Sequence, residues 1–195
     1  MKRNILIASA VSIIVAITIA FYSVMTVPQR VTEIPTVKEV AQESSTMKFQ
    51  IDSYTTIYDS QGKVKFYSEH PALLTNAGKE LIEGVLGNQF SSEPTVDYIA
   101  VGGNTSAMAA TDTTLANEFA TCGLTRAQGT YGSTGIGAWR LEKDFAVTGT
   151  CNNINSTALF NASSTGCMFA EDALSSNTNV INGDTLNITW TVSVS

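Results

Sequence analysis

The sequence predicts a mainly β protein: an antiparallel β-sandwich, jelly-roll-like, with one short helix, preceded by an N-terminal transmembrane helix and a spacer. Three observations predict it. Residues 5–25 form an uncharged apolar run directly behind Lys2 and Arg3. Residues 182–195, NGDTLNITWTVSVS, alternate Leu186, Ile188, Trp190, Val192 and Val194 with Asn187, Thr189, Thr191, Ser193 and Ser195, as a half-buried strand requires. Between these ends, short alternating segments are separated by Gly, Ser and Asn turns, the pattern of a sandwich.

The N-terminal run sets the organisation. Its 21 residues, rising about 1.5 Å each in a helix, span about 31 Å, the thickness of bilayer hydrocarbon. A cleaved signal has a shorter apolar region, about 7–15 residues, and a small-x-small cleavage site. Thr18 and Ala20 offer such a site, but the run continues through Phe21, Tyr22 and Val24, which favours a retained anchor. Either reading keeps Lys2 and Arg3 inside and exports the rest of the chain. The expected location is the cell membrane with the C-terminal domain outside, or secretion if the segment is cleaved. The expected divisions are 1–25 as anchor or signal, 26–46 as extended spacer and 47–195 as the extracellular sandwich. The spacer mixes charges of both signs with Pro28 and Pro35, and its β-branched residues suit addition to a sheet edge.

Within the domain, MKFQIDSYTTIYDSQGKVKFYSEH reads as a hairpin turning at Gly62. LLTNAGKELIEGVLGN reads as a helix capped by Thr75 or Asn76, ended by Gly87, with Leu81, Ile82, Val85 and Leu86 as its apolar stripe. VDYIAVGG reads as a buried strand. TDTTLANEF suggests a short helical turn with Asp112 as cap. GLTRAQGTY, AWRLEKDFAV, STALFN, CMFAED and the last segment read as short strands.

Charge and motifs exclude more than they identify. Only 14% of the 195 residues are charged, the net charge is −6, and beyond Lys79 the basic residues are Arg126, Arg140 and Lys143. That argues against a nucleic-acid partner, which needs clustered Lys and Arg. The single histidine, His70, would have to serve any Ser-His-Asp or Cys-His arrangement; its place before Pro71 suits a surface or locally bonded side chain. GTYGSTGIG, residues 129–137, fits neither G-x-G-x-x-G nor a Walker loop and reads as a flexible hairpin connection. Glu142 and Asp144 share one strand face, where a hard cation such as Ca²⁺ is conceivable, although a solvated face is the plainer reading. Glu171 and Asp172 point to opposite faces. No catalytic residue, cofactor or metal site is expected, and the chain is read as non-enzymatic.

Export makes the cysteines interpretable. Cys122, Cys151 and Cys167 give one disulfide and one thiol in an oxidising compartment. Sequence leaves three pairings open, with a lean to Cys151–Cys167 around an expected hairpin. N-x-S/T sequons fall at Asn104, Asn155, Asn161 and Asn187. With 13 Asn, and Ser or Thr at 44 positions, about three are expected by chance. All four are placed at accessible positions, as glycosylation candidates.

Three ordered stretches carry a resemblance: LLTNAGKELIEGVLG leading into YIAVGGNTSAMAATDTTLANEF; then ALFNASSTGCMFAEDA; then GDTLNITWTVSVS. Together they resemble small β-sandwich proteins found among tailed-phage structural proteins and in archaeal genomes. The resemblance implies the sandwich fold over residues 73–195 and carries no catalytic residues. The membrane segment and the three cysteines depart from the phage pattern and point toward a cell surface. The leading expectation is therefore an exported sandwich with a structural or adhesive role, contacting the membrane through residues 5–25 and associating with itself or other surface proteins. A second is a filament or virion subunit whose spacer pairs with a neighbour's sheet edge. A third is an extracellular carbohydrate-binding module or hydrolase, for which outer-face aromatics such as Tyr98, Tyr131 or Trp139 would be the mark.

Overall fold

The computed structural model describes residues 47–91, 94–103 and 106–195. The expected anchor at 5–25 and the spacer at 26–46 lie outside the described residues. Among those described, no helix is long and apolar enough to cross a membrane. Ser45–Ser195 forms one compact unit.

The order of elements is β1 (Phe49–Tyr58), β2 (Val64–Pro71), β3 (Leu73–Leu74), α1 (Asn76–Leu86), β4 (Tyr98–Gly102), β5 (Ala127–Gln128), β6 (Thr130–Gly135), β7 (Ala138–Ala146), β8 (Cys151–Phe160), β9 (Met168–Val180) and β10 (Thr185–Val194). They make two five-stranded sheets, ordered β2-β1-β10-β7-β6 and β3-β9-β8-β4-β5, with every paired strand antiparallel. Among the described residues this is a mainly β, two-sheet architecture with one short helix, consistent with a β-sandwich.

The terminal strand lies at the centre of the first sheet, between β1 and β7. Its alternation is reproduced in space. Leu186, Ile188, Trp190 and Val192 are buried, whereas Asn187, Thr189, Thr191 and Ser193 lie on the half-exposed face. Trp190 pairs with Ser53 on one side and Leu141 on the other. A one-residue slip would put the hydroxyls inside, so the apolar pattern fixes the register.

The second sheet is covered on both faces. Its inner face joins the main core through Ile99, Val101 and Leu159. Its outer face carries Ala100, Ala158, Phe160 and Met168, which pack with Leu115 from the 106–126 connection into a second, smaller core. β8 is buried along nearly its whole length for this reason, and it reads as a continuous rather than alternating run. Arg126 fastens the connection down. Its guanidinium makes a two-pronged bond to Glu118, at 2.9 and 2.6 Å, stacks 3.4 Å from the Phe160 ring centroid, and donates to the carbonyls of Ala162 and Thr165.

Two expectations are corrected here. Residues 111–119 contain no helix. Asp112 instead closes a turn, accepting from the Ala109 N–H at 2.9 Å and donating its own N–H back to the Ala109 carbonyl at 2.8 Å. The stretch 129–137 is largely strand. β5 pairs with β4 in the second sheet and β6 with β7 in the first, so the chain crosses between sheets at Gly129, where an added Cβ would meet the Leu141 side chain.

Candidate functional site

Helix α1 is positioned by its first turn. Thr75, fully buried, caps it by accepting from the Gly78 N–H at 2.9 Å. The same hydroxyl donates to the Met168 carbonyl, and the Thr75 N–H reaches the Phe169 carbonyl at 3.1 Å. Gly78 lets the helix approach this closely, since a Cβ there would run into the Phe169 carbonyl. Gly87 ends the helix, its N–H bonding back to Glu83.

Anchored in this way, the helix buries only part of its apolar stripe. Leu81 is 8% exposed, but Val85 is 45% and Leu86 71% exposed. These side chains form one wall of an apolar groove of about 580 Å³. It is lined as well by Met47 just before β1, Phe49 at its start, Tyr131 and Trp139 on β6 and β7, and Val192 and Val194 at the end of β10. Leu141, Leu159 and Phe169 are among its buried members, and Pro94, Thr95, Val96 and Asp97 also line it. The volume is that of a small-molecule site. Asp97 accepts from the Gln128 amide at 2.7 Å through Oδ2, while its Oδ1 is closed off from solvent and has no hydrogen-bond partner.

A second surface is the outer face of the first sheet. Asn187 bridges β10 to β7 there, its amide donating to Glu142 at 3.1 Å and Asp144 at 2.7 Å. Glu142 and Asp144 thus share a face, held by an amide. Among the described residues no three His, Cys, Asp or Glu side chains converge on a point where a metal would sit.

Two buried carboxyls face opposite ways from β9. Glu171, 1% exposed, points under the 106–126 connection toward Asp112. Burial, reinforced by the hydrogen bond and charge of Asp112, pushes it up to about 7, against a smaller pull from the Ala109 N–H. Asp172, also 1% exposed, points into the sandwich. Burial pushes it up to about 6, and Ser53, His70 and the Ala173 N–H offset this only in part. His70 is locally bonded, with Nδ1 3.2 Å from Ser68 Oγ. Ser68 is buried and accepts from the Ser175 N–H at 2.9 Å, and so ties β2 to β9. Sequence reasoning does not find this polar cluster, because its members lie on three separate strands.

The disulfide joins Cys122 to Cys151, and the lean to Cys151–Cys167 is corrected. In the β8–β9 hairpin, Cys151 opposes Val180 at the open end, whereas Cys167 precedes Met168, which opposes Phe160 at the turn. Nine strand steps of about 3.3 Å separate the two, roughly 30 Å, far beyond disulfide reach. Cys167 is a half-buried free thiol. Burial pushes its pKa up, and Glu80 adds to the shift.

The sequons fall in unlike settings. Asn104 lies outside the described residues. Asn155 is 6% exposed and donates to Asn177 at 3.0 Å, so it is not the accessible position expected. Asn161 is half-exposed at the β8–β9 turn, its Oδ1 accepting from the Cys167 N–H at 2.7 Å, and Asn187 is held by its bonds to Glu142 and Asp144. Of the aromatics considered for an outer face, Tyr131 and Trp139 line the groove and Tyr98 packs on the smaller core. The outer face of the first sheet carries Tyr54, Tyr58 and Tyr67 instead.

Residue by residue, the fold and groove define an antiparallel two-sheet domain with an apolar cleft lined by helix α1. No protein-family model matches the chain, and no curated protein does.

Proposed function

We propose that this chain is an exported, non-enzymatic β-sandwich protein, jelly-roll-like in its winding, that is held at the cell surface by residues 5–25 and serves a structural or adhesive role. The observation that carries this reading is the Cys122–Cys151 bond inside the domain, since such bonds persist in oxidising compartments. The uncharged run behind Lys2 and Arg3 supports the same topology. So does the broad face of Asn, Thr, Ser and Tyr on the first sheet, which offers hydrogen bonds and ring surface to a partner.

The test uses the native protein. Mass spectrometry of the mature N-terminus should find residues 5–25 retained, and protease added to intact cells should remove the domain. A domain that resists external protease until the cells are lysed would sink the reading. A mature chain beginning near Phe21 or Thr26 would leave a secreted protein.

A second reading, a filament or virion subunit, is favoured by β6. Among the described residues it pairs only with β7, which leaves its far edge open, and the β-branched spacer of a neighbour is suited to such an edge. Electron microscopy separates the readings: filaments or particles favour this one, dispersed molecules the first.

A further inference from the structure

We propose that residues 106–116 form a proton-held flap: one proton shared between the carboxyls of Asp112 and Glu171 keeps the flap shut on the second sheet, and loss of that proton lets it lift. The device goes beyond the surface role proposed above and does not depend on how the chain is anchored.

The flap has a fixed base and a separate tip. At the base, the Gly103 N–H donates to the Asn117 carbonyl at 3.2 Å, and the Asn117 amide donates back to the Gly103 carbonyl at 3.2 Å. The Phe119 N–H reaches the Val101 carbonyl at 2.9 Å. A loop closed at its ends can move as a unit. Beyond the base, the Glu118–Arg126 pair and the Cys122–Cys151 bond hold the rest of the connection, so opening is confined to 106–116. The tip meets the domain through the Ala110 carbonyl, which accepts from the Asn76 N–H at 2.7 Å. It also inserts Leu115 into the smaller core and sets Asp112 against Glu171.

The meeting of two acids makes this closure conditional. Glu171 is buried, and its Oε1 is closed off from solvent without a hydrogen-bond partner. An ionised carboxyl in that state is costly, so the closed flap keeps Glu171 protonated and able to donate to Asp112. Among the described residues, β3 and β8 oppose Glu171 with the uncharged Leu73 and Ala158. On α1, Lys79 bonds Asn76, and Glu80 acts on Cys167. On the connection, Glu118 is neutralised by Arg126. A second negative charge beside Asp112 would therefore meet repulsion. Burial and Asp112 together hold Glu171 at about 7. Lifting the flap returns it to water and toward its ordinary 4.5. Between about pH 5 and 7 the lifted state releases a proton that the closed state keeps, so opening grows as pH rises. Above about pH 8 both states have released it and the growth stops.

The experiment is hydrogen exchange of the full chain in lipid nanodiscs. Mass spectrometry reads peptides covering residues 106–116 and β10, each rate divided by that of the unfolded chain at the same pH. Flap exchange should rise about 100-fold from pH 5 to pH 7 and level off by about pH 8. It should change less than about two-fold in about 1 M urea, because a local opening exposes little surface. Exchange in β10 should be slower throughout and respond to urea. Glu171→Gln keeps a donor for Asp112 with no charge to release, and should hold flap exchange within about three-fold over the whole range. Asp112→Asn, at a half-exposed position, should shrink the rise, and it carries the test if Glu171→Gln does not fold. Asp172→Asn should leave the flap's profile unchanged. A wild-type flap with no rise, or a Glu171→Gln flap that keeps it, would overturn the proposal. So would flap exchange that follows β10 in urea or shifts with Asp172→Asn, since the whole domain would then be opening.

Discussion

Trp190 is fully buried between β1 and β7, and its indole N–H has no hydrogen-bond partner. Its contribution is therefore volume and apolar area. Trp190→Ala should cost about 3–5 kcal/mol, a large share of an ordinary domain's stability. Trp190→Phe should cost clearly less, because no hydrogen bond is lost with the indole nitrogen. Thr189→Ala and Thr191→Ala, on the half-exposed face, should each stay within about 0.5 kcal/mol. Urea unfolding of the four variants checks the ranking, and a Trp190→Ala protein as stable as the wild type would contradict the burial. The carboxyls of β9 predict a pH dependence of unusual sign. Glu171 is held at about 7 against an ordinary 4.5, and Asp172 at about 6 against 3.8. Between about pH 4 and 7 the unfolded chain has released protons that the folded chain keeps, so stability falls as pH rises. Each group contributes up to about 3 kcal/mol to that fall, which for Glu171 is complete about one pH unit above its folded value of about 7. Glu171→Gln and Asp172→Asn should flatten it. A wild-type stability that rises between pH 4.5 and 7 would show that these acids ionise more freely than their burial implies.

Helix α1 shows which features of an element are local and which are not. In an exposed helix, Gly→Ala is worth about 1 kcal/mol of stabilisation. At Gly78 the sign should reverse, because the new methyl would strike the Phe169 carbonyl and push the helix off β9. Thr75→Ala removes the cap, worth about 1 kcal/mol, and strips the Met168 carbonyl of its buried donor, for a loss above that of a cap alone. Thermal melting with both variants tests this, and a stabilised Gly78→Ala protein would refute the close approach. The cap at Thr75 and the stop at Gly87 are legible in the sequence because each is a matter of a few neighbouring residues. The burial of the stripe is not. Leu81, Ile82, Val85 and Leu86 share one helical face, but Val85 and Leu86 stay exposed where Leu81 is buried, and all four line the groove. The double burial of β8 is hidden as well. Its cover is the 106–126 connection, which has no periodicity to announce it. The turn at Asp112 resembles a helix start because Asp serves both uses with the same side-chain oxygen.

At the scale of the molecule, antiparallel pairing, the first hairpin and the central place of an alternating terminal strand follow from patterns of period two, and these carry the fold class. The contacts that close the domain run between segments distant in sequence: Arg126 to the β8–β9 turn, Ser68 to Ser175, Lys65 to Asp184 at 2.5 Å, and above all Cys122 to Cys151. The cysteine pairing is illegible because a hairpin of this length places its flanking residues at opposite ends, and nothing local records that length. The bond ties the end of the 106–126 connection to the start of β8, and so fastens the cover of the smaller core to the strand it covers. With the partners 29 positions apart in sequence, loop closure in the unfolded chain gives a stabilisation of about 3–4 kcal/mol. Cys122→Ser and Cys151→Ser should each lose about that much, and the double variant no more than either alone, since all three remove one bond. Cys167→Ser should leave stability within about 1 kcal/mol, because Cys167 is half-buried and unbonded. Peptide mapping without reduction should recover Cys122 joined to Cys151. Cys167, its thiol pKa raised by burial, should react with iodoacetamide slowly until the domain is unfolded. A Cys122→Ser protein that melts like the wild type, or a Cys167→Ser protein that loses as much as Cys122→Ser, would mean that the cover is held by something other than this bond.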